Sequence, residues 1–270
     1  MKCVRVETPE YMRAHIFPER RIARGKRAAR HQATKEVQAK YNAKMAQNKL
    51  TDLIENNFTP EGWTIHPTYD AANLPEDEAG AMKCFAKWVR KLRALIKSRG
   101  ADPAELKYIN ILQHGRRSDR LHHHVIIEGP TLTLEDLENS WVYGVSNPHH
   151  LKFAESGVEG LSRYLMRGSA LFKRWTCSRN LKRPEPYDHG PNELRRAEVE
   201  YINEHPEDRE RIEKMFPGWR VAAVETTPDT VPDKFGLFVV IHLYREDNRY
   251  FTRDRNGFIH YGLRPERTER

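Results

Sequence analysis

The sequence has few cysteines, no long apolar run and no nucleotide-binding glycine loop, and each absence argues against a class of protein. Its three cysteines, Cys3, Cys84 and Cys177, form no Cys-x-x-Cys pair, which argues against a disulfide framework or a cysteine zinc site and favours a reducing cytoplasm. No stretch has the length of a membrane span, so we expect no membrane partner. No apolar segment of the secretory type follows the N-terminus. The absence of Gly-x-x-x-x-Gly-Lys-Ser/Thr argues against a helicase fusion.

Positive charge is unevenly distributed along the chain. The formal net charge is +8, and residues 1–60 hold 13 Lys and Arg against 6 Asp and Glu, so nearly all of the excess lies there. Clustered positive charge is typical of proteins that bind a polyanion, although a solubilising, partly disordered arm has the same composition. We expect residues 1–33 to be irregular and a helix capped by Thr34 to follow, ending near residue 56.

The rest of the chain alternates between strand and helix patterns. Residues 61–183 predict the order strand, helix, strand, strand, helix, strand, helix, which indicates an α+β fold with a mostly antiparallel central sheet. The strongest helix pattern is 76–98, which has acidic residues at its start, basic residues at its end and an apolar stripe between them. A further strand is predicted at 141–145.

A domain boundary is predicted between Pro184 and Gly190. Beyond it, helices are expected at 191–204 and 206–215, and strands near 219–225 and 234–244. The predicted segments are a basic N-terminal arm and helix at 1–57, a main domain at 58–184 and a small α/β extension at 185–270.

Three consecutive histidines open the apolar strand predicted at 121–128. Strand alternation places His122 and His124 on one face and sends His123 to the other. Two imidazoles side by side form half of a metal site, although a strand with exposed histidines fits the same pattern.

The strands at 106–113 and 121–128 are separated by a short polar turn and should pair as a hairpin. If paired residue numbers sum to 235, Gln113 lies opposite His122 and adds an amide oxygen. With a register shifted by one residue, His114 takes that place. Two imidazoles and one amide suit a divalent ion that must also hold a phosphate oxygen.

Tyr164 falls on a helix predicted to begin near Ser156, and Arg167 follows one turn later. Alone, Tyr164 is more typical of a core tyrosine, and Arg167 of a surface base at a helix end. Beside a His-x-His strand, Tyr164 is a candidate nucleophile towards a phosphodiester, and Arg167 can offset the phosphate charge.

The segment 172–183 interleaves basic residues with one tryptophan. This pattern suits single-stranded nucleic acid, because basic residues contact phosphates and the indole stacks on bases; a core tryptophan on a basic edge strand fits equally well. Two weaker candidates are the pairs 149–150, expected to be solvated in a loop, and 69–70, expected to support the sheet edge, with contact to DNA as the alternative. The candidate DNA-binding residues are Lys173, Arg174, Trp175, Arg179 and Lys182.

In their order along the chain, these motifs resemble those of the HUH endonucleases, and more closely those of the rolling-circle replication initiators of plasmids and phage. The resemblance covers residues 61–183. Its motifs are Thr64-Ile65-His66-Pro67-Thr68-Tyr69-Asp70, Gln113-His114-Gly115 before His122-His123-His124, and Tyr164-Leu165-Met166-Arg167.

The resemblance implies a fold, a cofactor and an activity. The fold is an HUH domain of ferredoxin-like or RRM-like topology, in which His122 and His124 hold Mg²⁺ or Mn²⁺. Gln113 stands where relatives often carry an acid, and Arg167 where they usually carry lysine. Tyr164 would nick single-stranded DNA at a replication origin, leaving a 5′-phosphotyrosine on the protein and a free 3′-hydroxyl that primes replication.

The implied partners are origin DNA and the replication helicase and polymerase of a bacterial host, in its cytoplasm. A single tyrosine on the helix favours a single-tyrosine initiator. Two alternatives stay open: a non-catalytic nucleic-acid-binding replicon regulator of the same fold, and a related HUH transposase or relaxase.

Overall fold

The chain forms two compact units. The first comprises Met1–Asn56, Ala154–Glu159 and Arg183–Arg270, and the second comprises Asn57–Phe153 and Gly160–Lys182. The computed structural model describes residues 1–18, 36–115, 119–154, 157–167, 175–188, 194–226, 237–253 and 259–261.

Helices and strands alternate along the described residues. The helices are α1 (Glu36–Glu55), α2 (Glu78–Ser98), α3 (Leu134–Ser140), α4 (Glu159–Leu165), α5 (Arg196–Glu204) and α6 (Arg209–Glu213), with a 3₁₀ turn at Pro103–Glu105. The strands are β1 (Lys2–Glu7), β2 (Tyr11–Phe17), β3 (Trp63–Ile65), β4 (Lys107–His114), β5 (Leu121–Glu128), β6 (His149–His150), β7 (Thr176–Cys177), β8 (Tyr187–Asp188), β9 (Trp219–Glu225), β10 (Val239–Arg245), β11 (Phe251–Arg253) and β12 (Ile259–Tyr261).

The second unit contains an antiparallel sheet, whose described strands lie in the order β6, β3, β5, β4, β7. Strands β4 and β5 pair in the predicted hairpin with residue numbers that sum to 235, so that Gln113 lies opposite His122 and His114 opposite Leu121. Of the two registers that the sequence left open, the structure has the one that places Gln113, and not His114, opposite His122.

Helix α2 packs against one face of this sheet. Asp77 caps its start, because its carboxylate accepts a hydrogen bond from the Gly80 N–H at 2.6 Å. Gly100 follows its end with φ of +80°, a left-handed conformation that glycine adopts without strain. The helix matches its prediction closely. The main core residues between helix and sheet are Phe85, Trp88, Leu92, Ile96, Ile65, Leu112, Val125 and Ile127.

Two local predictions in this unit are wrong. Residues 141–145, predicted as a strand, form a turn whose carbonyls at Tyr143 and Val145 accept hydrogen bonds from the N–H groups of Asp70 and Thr68. Residues 149–150, predicted in a loop, form the edge strand β6, although both side chains are exposed as expected. Pairing with β3 makes residues 149–150 a strand, and no local pattern reveals that pairing.

The first unit contains a second antiparallel sheet, with described strands in the order β8, β1, β2, β10, β9. The irregular conformation expected for residues 1–33 is wrong for β1 and β2. Strand β2 pairs with β10, more than 200 residues away, and Met12, Ala14 and Ile16 are fully buried. The basic residues between 20 and 30 and the expected cap Thr34 lie outside the described residues.

The segment after residue 185 does not fold apart from the N-terminal segment, because β9 and β10 share a sheet with β1 and β2. Its helices α5 and α6 and its strands β9 and β10 lie close to the predicted positions. The predicted α+β class with antiparallel sheets is confirmed. No helix among the described residues is long and apolar enough to cross a membrane.

Buried charged groups lie within the first unit between α1 and its neighbours. The Arg13 guanidinium donates to both carboxylate oxygens of Asp52, at 3.0 and 2.6 Å. Glu55 is also buried, and its Oε1 accepts a hydrogen bond from the Val158 N–H at 2.7 Å. Burial raises the pKa of Glu55 to about 8, and the neighbouring carboxylates of Asp52 and Glu10 also raise it.

Candidate active site

Strand β5 presents two histidines on the sheet face opposite to α2. The Nε2 atoms of His122 and His124 lie 3.1 Å apart, and the two rings are inclined at 74°. Burial lowers the pKa of His124 to about 3, and the nearby imidazoles of His66 and His122 lower it as well. His124 is therefore neutral near pH 7, which is the form of imidazole that binds a cation.

His123 lies in the core on the other face of the strand, as alternation predicts. Its Nε2 contacts the Tyr69 hydroxyl at 2.7 Å, its Nδ1 contacts Asn110 Oδ1 at 2.9 Å, and its ring stacks on Phe85. Tyr69 is buried beside it, while Asp70 accepts hydrogen bonds from its own turn. These residues support the sheet and not the imidazole pair.

Gln113 lies opposite His122 across the hairpin and is only 7% exposed. Its Nε2 donates a hydrogen bond of 2.6 Å to the carbonyl of Leu165, the last residue of α4. The amide nitrogen faces this helix, so the amide oxygen is the atom of Gln113 that can serve as a ligand.

His66 also lies at this candidate site, although it was not among the site residues predicted from the sequence. Strand β3 pairs with β5 in a register in which the numbers of paired residues sum to 190. An isolated bridge between Thr68 and His122 continues this register. His66 consequently lies beside His124, with ring centroids 4.5 Å apart. Burial lowers the pKa of His66, as do the imidazoles of His122 and His149. The sequence signal that could have placed His66 at the site is its alternation with Thr64 and Thr68, since alternate residues of an extended segment share one face.

Tyr164 faces these histidines from α4. Its ring centroid is 5.6 Å from that of His124 and 6.1 Å from that of His66, and the side chain is 51% exposed. The core-tyrosine alternative is therefore wrong. Leu165, the next residue, is buried, so this short helix packs against the protein on one side and is exposed to solvent on the other.

Arg167 follows two residues after the end of α4, and its backbone N–H donates to the Tyr164 carbonyl at 3.1 Å. The side chain is exposed. Tyr164 and Arg167 thus lie on the same turn of chain, as their spacing predicts.

The predicted DNA-binding segment lies along the opposite edge of the sheet from β6. Trp175 is half-buried and precedes β7, which pairs with β4. Arg179 and Lys182 are exposed, and the Lys182 N–H donates to Asn57 Oδ1 at 2.7 Å. Lys173 and Arg174 lie outside the described residues. His122, His66 and Tyr164 thus lie around His124, Gln113 lies opposite His122, and the β7 edge is a separate candidate surface.

Among the residues that the structure describes, none with a carboxylate joins His122 and His124 as a metal donor. Within the described parts of the chain, no three side chains of His, Cys, Asp or Glu are grouped to hold a metal ion, so a third donor must be of another kind. Gln113 across the hairpin supplies an amide oxygen. Two ligands about 2.1 Å from one cation, at right angles, are roughly 3 Å apart, which agrees with the 3.1 Å between the Nε2 atoms. The residues therefore fit a divalent cation with open coordination positions.

Comparisons with protein-family models, with curated proteins and with solved structures give no significant match for this chain.

Proposed function

We propose that this protein is a metal-assisted nuclease that cleaves single-stranded DNA through a covalent tyrosine intermediate. The observation that supports this most strongly is the exposed Tyr164 ring, 5.6 Å from His124, beside a pair of imidazole nitrogens 3.1 Å apart. More particularly, the order of motifs resembles that of rolling-circle replication initiators, and we propose that the DNA is a replication origin.

In this proposal the Tyr164 hydroxyl attacks a phosphodiester phosphorus. A bond forms between the tyrosine oxygen and phosphorus, and the bond from phosphorus to the 3′ oxygen breaks. The hydroxyl proton passes to solvent, and the departing 3′ oxygen takes up a proton. The products are a 5′-phosphotyrosine on the protein and a free 3′-hydroxyl on the DNA. The reverse reaction joins strands.

The other residues of the site bind and orient the phosphate. His122, His124 and Gln113 would hold a divalent cation, Mg²⁺ or Mn²⁺, which would supply positive charge that polarises the phosphodiester. Because all three of these side chains are neutral, the full charge of the cation would be available to the phosphate. Arg167, on the same turn as Tyr164, offsets the charge of the transferring group.

DNA binding in this proposal rests on two sets of residues. The basic residues of the N-terminal segment contribute non-specific attraction to phosphates. The β7 edge adds exposed Arg179 and Lys182 and half-buried Trp175 for stacking on bases. Lys173 and Arg174, which precede Trp175 in the sequence, complete the proposed set. In the bacterial cytoplasm, a host helicase would unwind the duplex and a host polymerase would extend the free 3′-hydroxyl.

One experiment tests the proposed activity directly. The full chain is incubated with a library of single-stranded oligonucleotides and Mn²⁺, and protein–DNA adducts are isolated under denaturing conditions. We expect a peptide containing Tyr164 to carry a nucleotide by mass spectrometry. DNA binding without any adduct would contradict the nuclease and favour the non-catalytic regulator.

A further inference from the structure

Gln113 connects the strand beside the imidazole pair to the helix that carries Tyr164. The bond from its Nε2 to the Leu165 carbonyl is short, at 2.6 Å, and the side chain is only 7% exposed. Leu165 immediately follows Tyr164 along the chain. A buried hydrogen bond between these groups therefore fixes the distance from β4 to the residue next to the candidate nucleophile.

Helix α4 needs such a contact, because it has only seven residues. Helices of this length are not stable by themselves, and their last carbonyls have no partner within the helix. At this C-terminus, the Ser162 and Tyr164 carbonyls accept backbone N–H groups from Met166 and Arg167. The Leu165 carbonyl accepts the side-chain N–H of Gln113.

Only a side chain with a donor can make this bond. A carboxylate has acceptor atoms alone, so a glutamate at position 113 would place a negative oxygen against the Leu165 carbonyl oxygen. A glutamate is also the stronger ligand for a divalent cation, since it carries charge. Cation binding and helix anchoring therefore favour different residues at this position.

We infer that Gln113 is a positioning residue, whose amide N–H group holds α4 so that Tyr164 stays beside His124. This inference rests on the proposed function and deepens it, because it explains why the position across from His122 carries an amide. The amide binds a cation more weakly than a carboxylate would, but it holds the candidate nucleophile at the site.

Substitution at Gln113 separates anchoring from cation binding. Gln113→Glu removes the donor and keeps an oxygen ligand, while Gln113→Met removes both and keeps the side-chain length. The neighbouring His114→Gln is the matched control, because its exposed side chain points to the other face of β4. Single-turnover cleavage at saturating Mn²⁺, DNA affinity and Mn²⁺ affinity by titration calorimetry are measured for each.

We expect Gln113→Glu to bind Mn²⁺ at least as tightly as wild type and to bind DNA equally, yet to cleave at least tenfold more slowly. Cleavage by Gln113→Glu at or above the wild-type rate would overturn the inference, because it would make Gln113 a ligand alone. His114→Gln should cleave at the wild-type rate.

Hydrogen exchange gives a readout that does not depend on activity. In Gln113→Glu and Gln113→Met, amides in the peptide spanning 160–167 should exchange several-fold faster than in wild type, and those of α2 should not change. Unchanged exchange in 160–167 overturns the anchoring role even if the protein never cleaves DNA. Faster exchange in a protein that forms no adduct would instead retain the anchor and reject the nuclease.

Discussion

The His66 ring packs edge-on against the His124 ring, with centroids 4.5 Å apart and planes inclined at 83°. The Tyr164 ring packs beside both, so that two imidazoles from neighbouring segments of the sheet form the surface on which the candidate nucleophile rests.

Removing the His66 ring from this surface should slow cleavage without weakening DNA binding. Aromatic contacts of this kind contribute about 0.5–1.5 kcal/mol, so His66→Ala is expected to lower the single-turnover rate by roughly two- to tenfold. His66→Phe, which keeps a ring but no nitrogen, should cleave faster than His66→Ala. Equal rates for the two variants would show that the His66 nitrogens, and not the packing of the ring, are needed.

Tyr164→Phe should abolish the covalent adduct and reduce nicking at least a thousandfold, since phenylalanine has no hydroxyl to attack phosphorus. DNA affinity should stay at the wild-type level, because the ring that packs beside His124 is kept. Gel assays of nicking and fluorescence anisotropy of binding measure the two effects. Tyr187→Phe, at an exposed tyrosine of the first unit, is the control. Nicking of wild-type strength by Tyr164→Phe would exclude this residue as nucleophile.

Removal of divalent cations with EDTA should stop cleavage, and added Mn²⁺ should restore it. His124→Ala should lose Mn²⁺ binding in titration calorimetry, because only one imidazole and one amide would be left. His205→Ala, at an exposed histidine of the first unit, should bind Mn²⁺ as wild type does. Cleavage that persists in EDTA would point to a reaction without a metal ion.

Glu55 should make the stability of the first unit depend on pH. Its pKa is raised from 4.5 to about 8, so the folded chain keeps a proton that the unfolded chain releases. The stabilisation is complete below about pH 4.5, falls as the pH rises and is lost above about pH 8, at about 1.4 kcal/mol per pKa unit.

Urea unfolding between pH 5 and 9 measures this dependence. Glu55→Gln keeps an oxygen that accepts the Val158 N–H and cannot ionise, so its unfolding midpoint should fall less over this range than that of the wild type. Glu61→Gln, at an exposed position, should follow the wild type. Identical curves for Glu55→Gln and wild type would contradict the raised pKa.

The basic N-terminal segment should contribute to DNA affinity through its charge. Deleting residues 1–33 is an unsuitable test, because β1 and β2 belong to a sheet of the first unit. Glutamine substitutions at the six basic positions between 20 and 30 should weaken binding and flatten its dependence on salt, by a slope of about 0.7 for each lost contact with single-stranded DNA. Per charge removed, Lys83→Gln, Lys87→Gln and Arg90→Gln on α2 should have less effect. An unchanged salt dependence of DNA affinity would show that the segment does not contact DNA and would leave solubility as its role. The six positions are Arg20, Arg21, Arg24, Lys26, Arg27 and Arg30.

Local patterns predicted a large part of the second unit. The acidic start, apolar stripe and terminal glycine of residues 76–100 suffice to predict α2, because these signals lie within the helix itself. The short turn between β4 and β5 limited the predicted register to two alternatives, with Gln113 or His114 beside His122, and only the structure selected Gln113. Alternation along β5 separated His123 from the histidines on either side of it.

Pairings between distant segments were decided only in the tertiary structure. His66 joins the site because β3 pairs with β5, about sixty residues later, and no turn limits that register. Residues 2–17 form strands because β10 completes their sheet, and the burial of alternate residues outweighs a composition that suggested an arm. The sequence by itself therefore determined which side chains each element presents. The tertiary structure decided which elements meet, since long-range pairing depends on packing that no local pattern encodes.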